Sequence, residues 1–110
     1  MKLIITMVFA LAAMTFTLSA AQDTIKIQTT AQCEDCKERI EKAVNELEGI
    51  ESADLEVESA VATVIFDTEK TSSEDIKKSI ASVGYDADDV KKDKRAYKRL
   101  PRCCQLGGHK

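Results

Sequence analysis

The strongest constraint on the fold is the way the spacing of apolar residues changes along residues 24–90. Residues 24–29 alternate between apolar and polar side chains, which predicts a strand. The next apolar residues recur at helical spacing as far as Gly49, which suits the end of a helix. Residues 53–57 and 60–66 alternate again across a short turn, and we expect them to form a hairpin.

The second half of this stretch supplies a further helix and strand. Residues 71–74 combine hydroxyl and acidic side chains in the way typical of a helix start, and Gly84 ends that helix. Residues 87–90 predict a short fourth strand. The resulting βαββαβ order is that of a ferredoxin-like α+β domain, an antiparallel sheet with two helices on one face, expected here over residues 22–91.

The first 21 residues are typical of a secretory signal peptide. Lys2 precedes an apolar run over residues 3–14, and small residues end the segment at Ala21. Such segments are removed on export, so we expect cleavage near Ala21 and a periplasmic or secreted protein without stable membrane insertion. A retained N-terminal anchor is the alternative, although the run is shorter than the roughly 20 apolar residues that span a bilayer.

Charge divides the remaining chain unevenly. Residues 22–90 hold 7 basic and 18 acidic side chains, whereas residues 91–110 hold 8 basic side chains and 1 acidic. We call residues 92–110 the basic tail. An acidic body and a basic tail predict either that the two associate or that the tail seeks an acidic partner or membrane surface. A simply solvated terminus is the alternative.

Composition excludes two broad classes of function. The chain has 3 Phe, 2 Tyr and no Trp, which argues against a protein that stacks aromatic rings on nucleic-acid bases. It has one His and neither a glycine-rich phosphate loop nor the glycine-flanked serine of the hydrolases. We therefore expect no nucleic-acid partner and no enzymatic activity.

Two cysteines, Cys33 and Cys36, lie where the first strand leads into the first helix. Their spacing lets both sulfurs face one point, and the helix N-terminus favours the thiolate form of Cys36. Paired thiolates suit Cu(I) and Hg(II), and with added ligands Zn(II) or Cd(II). Two sulfurs do not close a structural zinc site, which takes four ligands. The motif therefore indicates a site that holds one ion and passes it on.

The chain resembles the heavy-metal-associated domain family, which includes copper chaperones, metal-ATPase N-terminal domains and periplasmic mercury-binding proteins. The resemblance rests on the segments Cys33–Cys36, 47–50, 64–67 and 83–85. It implies one soft ion, Cu(I) first, bound by Cys33 and Cys36, with Tyr85 packed beside it. It also implies delivery to a metal-exporting ATPase, another metal transporter or a cuproprotein. We expect a monomer or a metal-bridged dimer.

Two features depart from the family pattern. Thr30, Ala31 and Gln32 replace the usual Gly-Met-Thr before the first cysteine, which predicts a looser loop. Glu34 and Asp35 place carboxylates between the sulfurs. Their negative charge opposes thiolate formation, and their oxygens favour Zn(II) or Cd(II) over Cu(I).

A second cysteine pair, Cys103 and Cys104, lies in the basic tail. Adjacent cysteines form a mutual disulfide only with strain, because their Cα atoms are about 3.8 Å apart and a relaxed bridge prefers roughly 5.5 Å. They can bind a soft metal, bridge to other cysteines or stay free. Our hypothesis is that the tail docks on the body and brings both thiols to Cys33 and Cys36, with His109 as a possible further ligand.

Two other classes compete with metal transfer. Oxidising compartments convert closely spaced cysteines to disulfides, so the chain can instead be a thiol–disulfide redox protein. Against this, the only proline, Pro101, lies in the tail, whereas thioredoxin-like enzymes place one opposite their cysteines. The third class is a structural module stapled by disulfides, for which four cysteines allow three pairings.

Overall fold

The computed structural model describes residues 21–105. Three strands, β1 (Gln22–Gln28), β2 (Ile50–Glu56) and β3 (Val61–Asp67), form one antiparallel sheet in the order β1-β3-β2. The helices are α1 (Glu34–Asn45), α2 (Ser73–Ser82) and α3 (Lys94–Arg99), and a 3-10 turn follows at Arg102–Cys104. The predicted signal segment, apart from Ala21, and His109 lie outside the described residues.

One face of the sheet is packed against helices. Along β3, Ala62, Val64 and Phe66 are buried while their neighbours are half-buried. They join one core cluster with apolar residues of α1 and α2, among them Ile40 and Ile80. The similarity to solved structures described below confirms the predicted ferredoxin-like α+β class.

The predicted fourth strand is reduced to single bridges. Ala87 pairs with Thr29, the residue that follows β1, and with Val90 in its own segment. The chain turns at once, because Asp88 takes a left-handed conformation with φ of +51°. Aspartates are poor strand formers and favour turns, which explains why residues 87–90 do not extend the sheet.

The helix ends follow the expected chemistry with one difference. The Ser72 hydroxyl accepts a hydrogen bond from the backbone N–H of Asp75 at the start of α2. Helix α1 stops at Asn45, four residues before the predicted end, and a turn then leads to Gly49 at φ of +93°. Within residues 21–105, no helix has the length and apolar character needed to cross a bilayer.

Candidate metal site

The first cysteine pair lies in the loop between β1 and α1. Cys33 is the N-cap residue of α1 and is half-buried, whereas Cys36 in the first turn is fully buried. Their sulfurs are 3.4 Å apart. The Thr29 hydroxyl fixes the loop, since it accepts from the Ala31 N–H and donates to the Ala60 carbonyl. Ala31 is buried in the core cluster, so the segment expected to be loose is anchored at its middle residue.

The second cysteine pair lies against the first. The Cys33 sulfur is 3.7 Å from the Cys103 sulfur and 3.7 Å from the Cys104 sulfur. The two tail sulfurs are 3.9 Å from each other. All four thiols are free of disulfide bonds. The structure therefore brings together two pairs that are about 70 residues apart in sequence.

Helix α3 carries the tail to this position by packing against α2's end. Leu100 is 93% buried in the core cluster. A Cβ on Gly84 would lie 3.0 Å from Leu100 Cδ1 and 3.0 Å from the backbone nitrogen of Tyr97. The approach of α3 thus depends on the missing side chain of Gly84, which also holds a φ of +105°.

Polar contacts fix both ends of α3. The Asp93 carboxylate accepts from the Arg95 N–H at the helix start, and the Asp93 N–H donates to the Ala81 carbonyl at the end of α2. After the helix, the Gln105 side-chain amide donates to the carbonyls of Tyr97, Lys98 and Leu100. These bonds satisfy carbonyls that a helix end leaves unpaired and hold the turn that carries the cysteines.

The forces that dock the tail differ from those expected from charge. Among the described residues, an ion pair at 3.9 Å joins Lys92 of the basic tail to Asp86 of the body. Lys92 also lies 4.8 Å above the Tyr97 ring. Other basic side chains of the tail are exposed, namely Lys94, Arg95, Lys98, Arg99 and Arg102. Docking is therefore mainly apolar, through Leu100 and Cys104, because those side chains are the ones withdrawn from water.

The cysteines differ in how easily they ionise. Burial opposes ionisation of Cys33, but the Cys36 backbone N–H and the three neighbouring thiols outweigh it and lower the pKa of Cys33. Burial, followed by the contact with Cys36, raises the pKa of Cys104 far above its ordinary value. The contact with Cys33, followed by burial, raises the pKa of Cys103. Cys33 is thus available to an incoming cation as a thiolate more readily than Cys103 or Cys104.

A carboxylate also contacts one of the two tail thiols. The Cys104 sulfur donates to the Asp35 carboxylate at 3.5 Å, and the same carboxylate oxygen accepts from the Arg39 guanidinium at 3.2 Å. Arg39 therefore partly neutralises the acidic group that lies between the two sulfurs of the first pair. Asp35 thus accepts a hydrogen bond from the tail.

Tyr85 lies beside the sulfurs, where the family resemblance places it. Its side chain is 1% exposed, and its hydroxyl makes no hydrogen bond of regular geometry within the described residues. Burial, followed by interactions with Cys36 and Cys104, raises the pKa of Tyr85 far above the ordinary phenol value. Tyr85 stays neutral and keeps water from the buried side of the cluster.

Sequence reasoning named all four sulfurs and Tyr85 as candidates, and the structure places them together, but it did not name the residues that hold them there. The sequence assigned Gly84 a helix end and a place in the family resemblance but no contact with the tail, and it assigned Gln105 and Arg39 no role. The sequence feature that indicates a docking surface is the apolar pair Tyr97 and Leu100 before Pro101. The sequence does not show which surface this pair packs against.

The heavy-metal-associated domain model matches residues 24–86. The chain belongs to the heavy-metal-associated domain family. This membership confirms the resemblance inferred from the cysteine loop and the segments around Gly49 and Gly84. The matched residues include Cys33 and Cys36 and end before the basic tail.

Other members of the heavy-metal-associated family are similar over the same region. The copper chaperone CopZ of Staphylococcus saprophyticus is 35% identical over 66 residues, which cover 60% of this chain and 96% of that protein. The periplasmic component of the mercuric transport protein of Pseudomonas aeruginosa is 35% identical over 77 residues, 69% of this chain and 85% of that one. The water-soluble region of the P-type ATPase CopA from Bacillus subtilis superposes with a TM-score of 0.60 at 27% identity, covering 64% of this chain and 47% of that one.

The donor set fits a soft cation. Thiolates are soft ligands that select Cu(I) and other thiophilic ions over Mg²⁺ or Ca²⁺. Cys33 and Cys103 are half-buried, so an ion can reach the cluster from solvent, whereas Cys36 and Cys104 form its buried floor. Such an arrangement can accept an ion at Cys33 and exchange it by replacing one sulfur ligand at a time.

Proposed function

We propose that this protein is an exported binder and carrier of one soft metal ion, with Cu(I) as the preferred cargo. The observation that carries the proposal is the Cys33 sulfur, half-exposed at the N-terminus of α1 and 3.4 Å from the Cys36 sulfur. The relatives named copper chaperone and mercuric transport protein support a thiophilic cargo. Hg(II), Zn(II) and Cd(II) are the competing ions.

Transfer proceeds by ligand exchange. A thiolate of the partner joins the ion while Cys33 and Cys36 still hold it, and the two cysteines then leave one after the other. Similarity to the soluble region of a P-type ATPase supports a metal-exporting ATPase as the recipient, with another transporter or a cuproprotein as alternatives. No bond other than metal–sulfur bonds changes, so the protein carries its cargo without acting as an enzyme.

Export rests on the first 21 residues, whose charged start, apolar run and small residues resemble a signal peptide. Strand β1 begins at Gln22, directly after the proposed cleavage position. Removal of residues 1–21 thus leaves every element of the domain in place. The mature protein acts in the periplasm or outside the cell, as a monomer or as a dimer bridged by its metal.

Competition for Cu(I) against a chelator tests the proposal. The reduced wild-type protein should take one equivalent from the chelator, and the variant Cys33→Ser/Cys36→Ser should take none. Because Cys36 is fully buried, its replacement can weaken the fold. The single variant Cys33→Ser, altered at a half-buried position, controls for this, and urea unfolding of each variant reports its stability. Stoichiometric binding by a folded double variant would refute the assignment.

A further inference from the structure

Three of the four sulfurs form a nearly equilateral triangle. The edges between Cys33, Cys103 and Cys104 measure 3.7, 3.7 and 3.9 Å. A point at the centre of such a triangle lies about 2.2 Å from each sulfur, close to a metal–thiolate bond of about 2.3 Å. The triangle therefore has the size that a three-coordinate thiolate site requires.

The first cysteine pair alone fits a cation less well than the triangle does. A cation held linearly by two thiolates needs sulfurs roughly 4.6 Å apart, twice the metal–sulfur bond length. Cys33 and Cys36 are 3.4 Å apart, so this pair must open by more than about 1 Å for linear binding. The triangle binds without such a movement. Cys36 does not belong to the group of mutually close sulfurs.

The position of the tail thiols is specified by packing. Cys104 is 1% exposed and Leu100 is 7% exposed, both within the core cluster. Gln105 ties the end of the turn to three carbonyls of α3 and its cap. Gly84 leaves the space that α3 fills. Independent contacts on both sides of Cys103 and Cys104 thus place these sulfurs at Cys33.

From this geometry we infer that Cys33, Cys103 and Cys104 form a three-thiolate site for a soft cation such as Cu(I) or Hg(II). The inference rests on the proposed function and deepens it. Cys33 is shared, so an ion received by Cys33 and Cys36 moves into the triangle without leaving the protein. Each thiol that joins the ion gives its proton to solvent. The tail converts an exchange site into one that retains its cargo until α3 undocks.

The charge around the triangle suits this role. Three thiolates around Cu(I) carry a net charge of −2, which is costly unless positive groups are near. Arg39 pairs with the Asp35 carboxylate that accepts from Cys104. The N-terminus of α1 adds a positive dipole end at Cys33. These groups offset the charge of the filled site.

X-ray absorption at the copper edge tests the inference on the full chain loaded with one equivalent of Cu(I). We expect three sulfur ligands in the wild type. The variant Cys103→Ser/Cys104→Ser should show two, with shorter copper–sulfur bonds, and should bind Cu(I) at least roughly tenfold more weakly in chelator competition. The variant Cys103→Ser alters only a half-buried thiol, so it should also lose a ligand even if replacement of Cys104 weakens the fold.

The outcomes separate this inference from the proposed function. Two sulfurs in the wild type, unchanged in both tail variants, would overturn the three-thiolate site and leave Cys33 and Cys36 as the carrier pair. Retained binding in a folded Cys33→Ser/Cys36→Ser variant would overturn the proposed function and the three-thiolate site together, because Cys33 belongs to both. Three sulfurs in the wild type and two in Cys103→Ser support both.

Discussion

Replacement of Leu100 by alanine tests whether apolar packing holds the tail thiols in place. The Leu100 side chain is 7% exposed, so truncation removes three buried carbons. At about 0.8 kcal/mol per carbon, the lost burial is roughly 2.4 kcal/mol. A small cavity term raises the cost to about 2.5–3 kcal/mol, at the low end of measured leucine truncations because a terminal segment can adjust.

This loss of free energy weakens the docking of the tail on the body. At 1.4 kcal/mol per factor of ten, the ratio of docked to undocked tail should fall roughly 60- to 140-fold. Cys104 is 1% exposed when docked, so its alkylation requires undocking. In reduced, metal-free Leu100→Ala, we expect Cys104 to react faster by the same factor, up to the rate of the unfolded chain. Mass spectrometry of alkylated peptides measures the rate at each cysteine.

A matched control separates undocking from general loss of stability. Phe66 is buried where β3 pairs with the start of β1, the opposite end of the sheet from the cysteine loop. Phe66→Leu should lower the free energy of unfolding by about 1 kcal/mol and leave the Cys104 alkylation rate nearly unchanged. Equal rates in Leu100→Ala and the wild type would refute apolar docking through Leu100.

Three further substitutions test individual contacts. Gly84→Ala should lower the free energy of unfolding by about 1–3 kcal/mol and speed Cys104 alkylation, because its methyl meets α3 at a positive φ; unchanged alkylation would contradict the close approach. Ser72→Ala should cost about 1 kcal/mol in urea unfolding through loss of the α2 cap and leave Cu(I) affinity unchanged, whereas unchanged stability would show the cap to be dispensable. Tyr85→Phe should stabilise the metal-free protein by about 1 kcal/mol, since it removes a buried hydroxyl without a regular hydrogen bond. A clear destabilisation in urea would show that the hydroxyl bonds productively to the sulfurs.

Local patterns in the sequence predict most of the domain. Several features depend only on residues that are neighbours in the chain, so spacing and residue type are sufficient to predict them. These are the alternation in β1, β2 and β3, the serine cap of α2, and the pair Cys33 and Cys36. The fourth strand was wrong in extent because the backbone turn at Asp88 overrides the weak strand tendency of residues 87–90.

The docked tail shows what local patterns leave open. Charge predicted that body and tail can associate, but Leu100 and the absent side chain of Gly84 supply the contact that the structure shows. An apolar stripe predicts that a helix buries one face, but it does not predict which surface of the protein covers that face. The meeting of the two cysteine pairs is a long-range consequence of that surface.

Thiol protection by metal tests most directly whether the two cysteine pairs act as one site. Cys33 and Cys103 are both half-buried and open to alkylation in the reduced, metal-free chain. On addition of one equivalent of Cu(I), both should lose reactivity together, along the same titration curve. Protection of Cys33 while Cys103 reacts as fast as before would contradict a shared site.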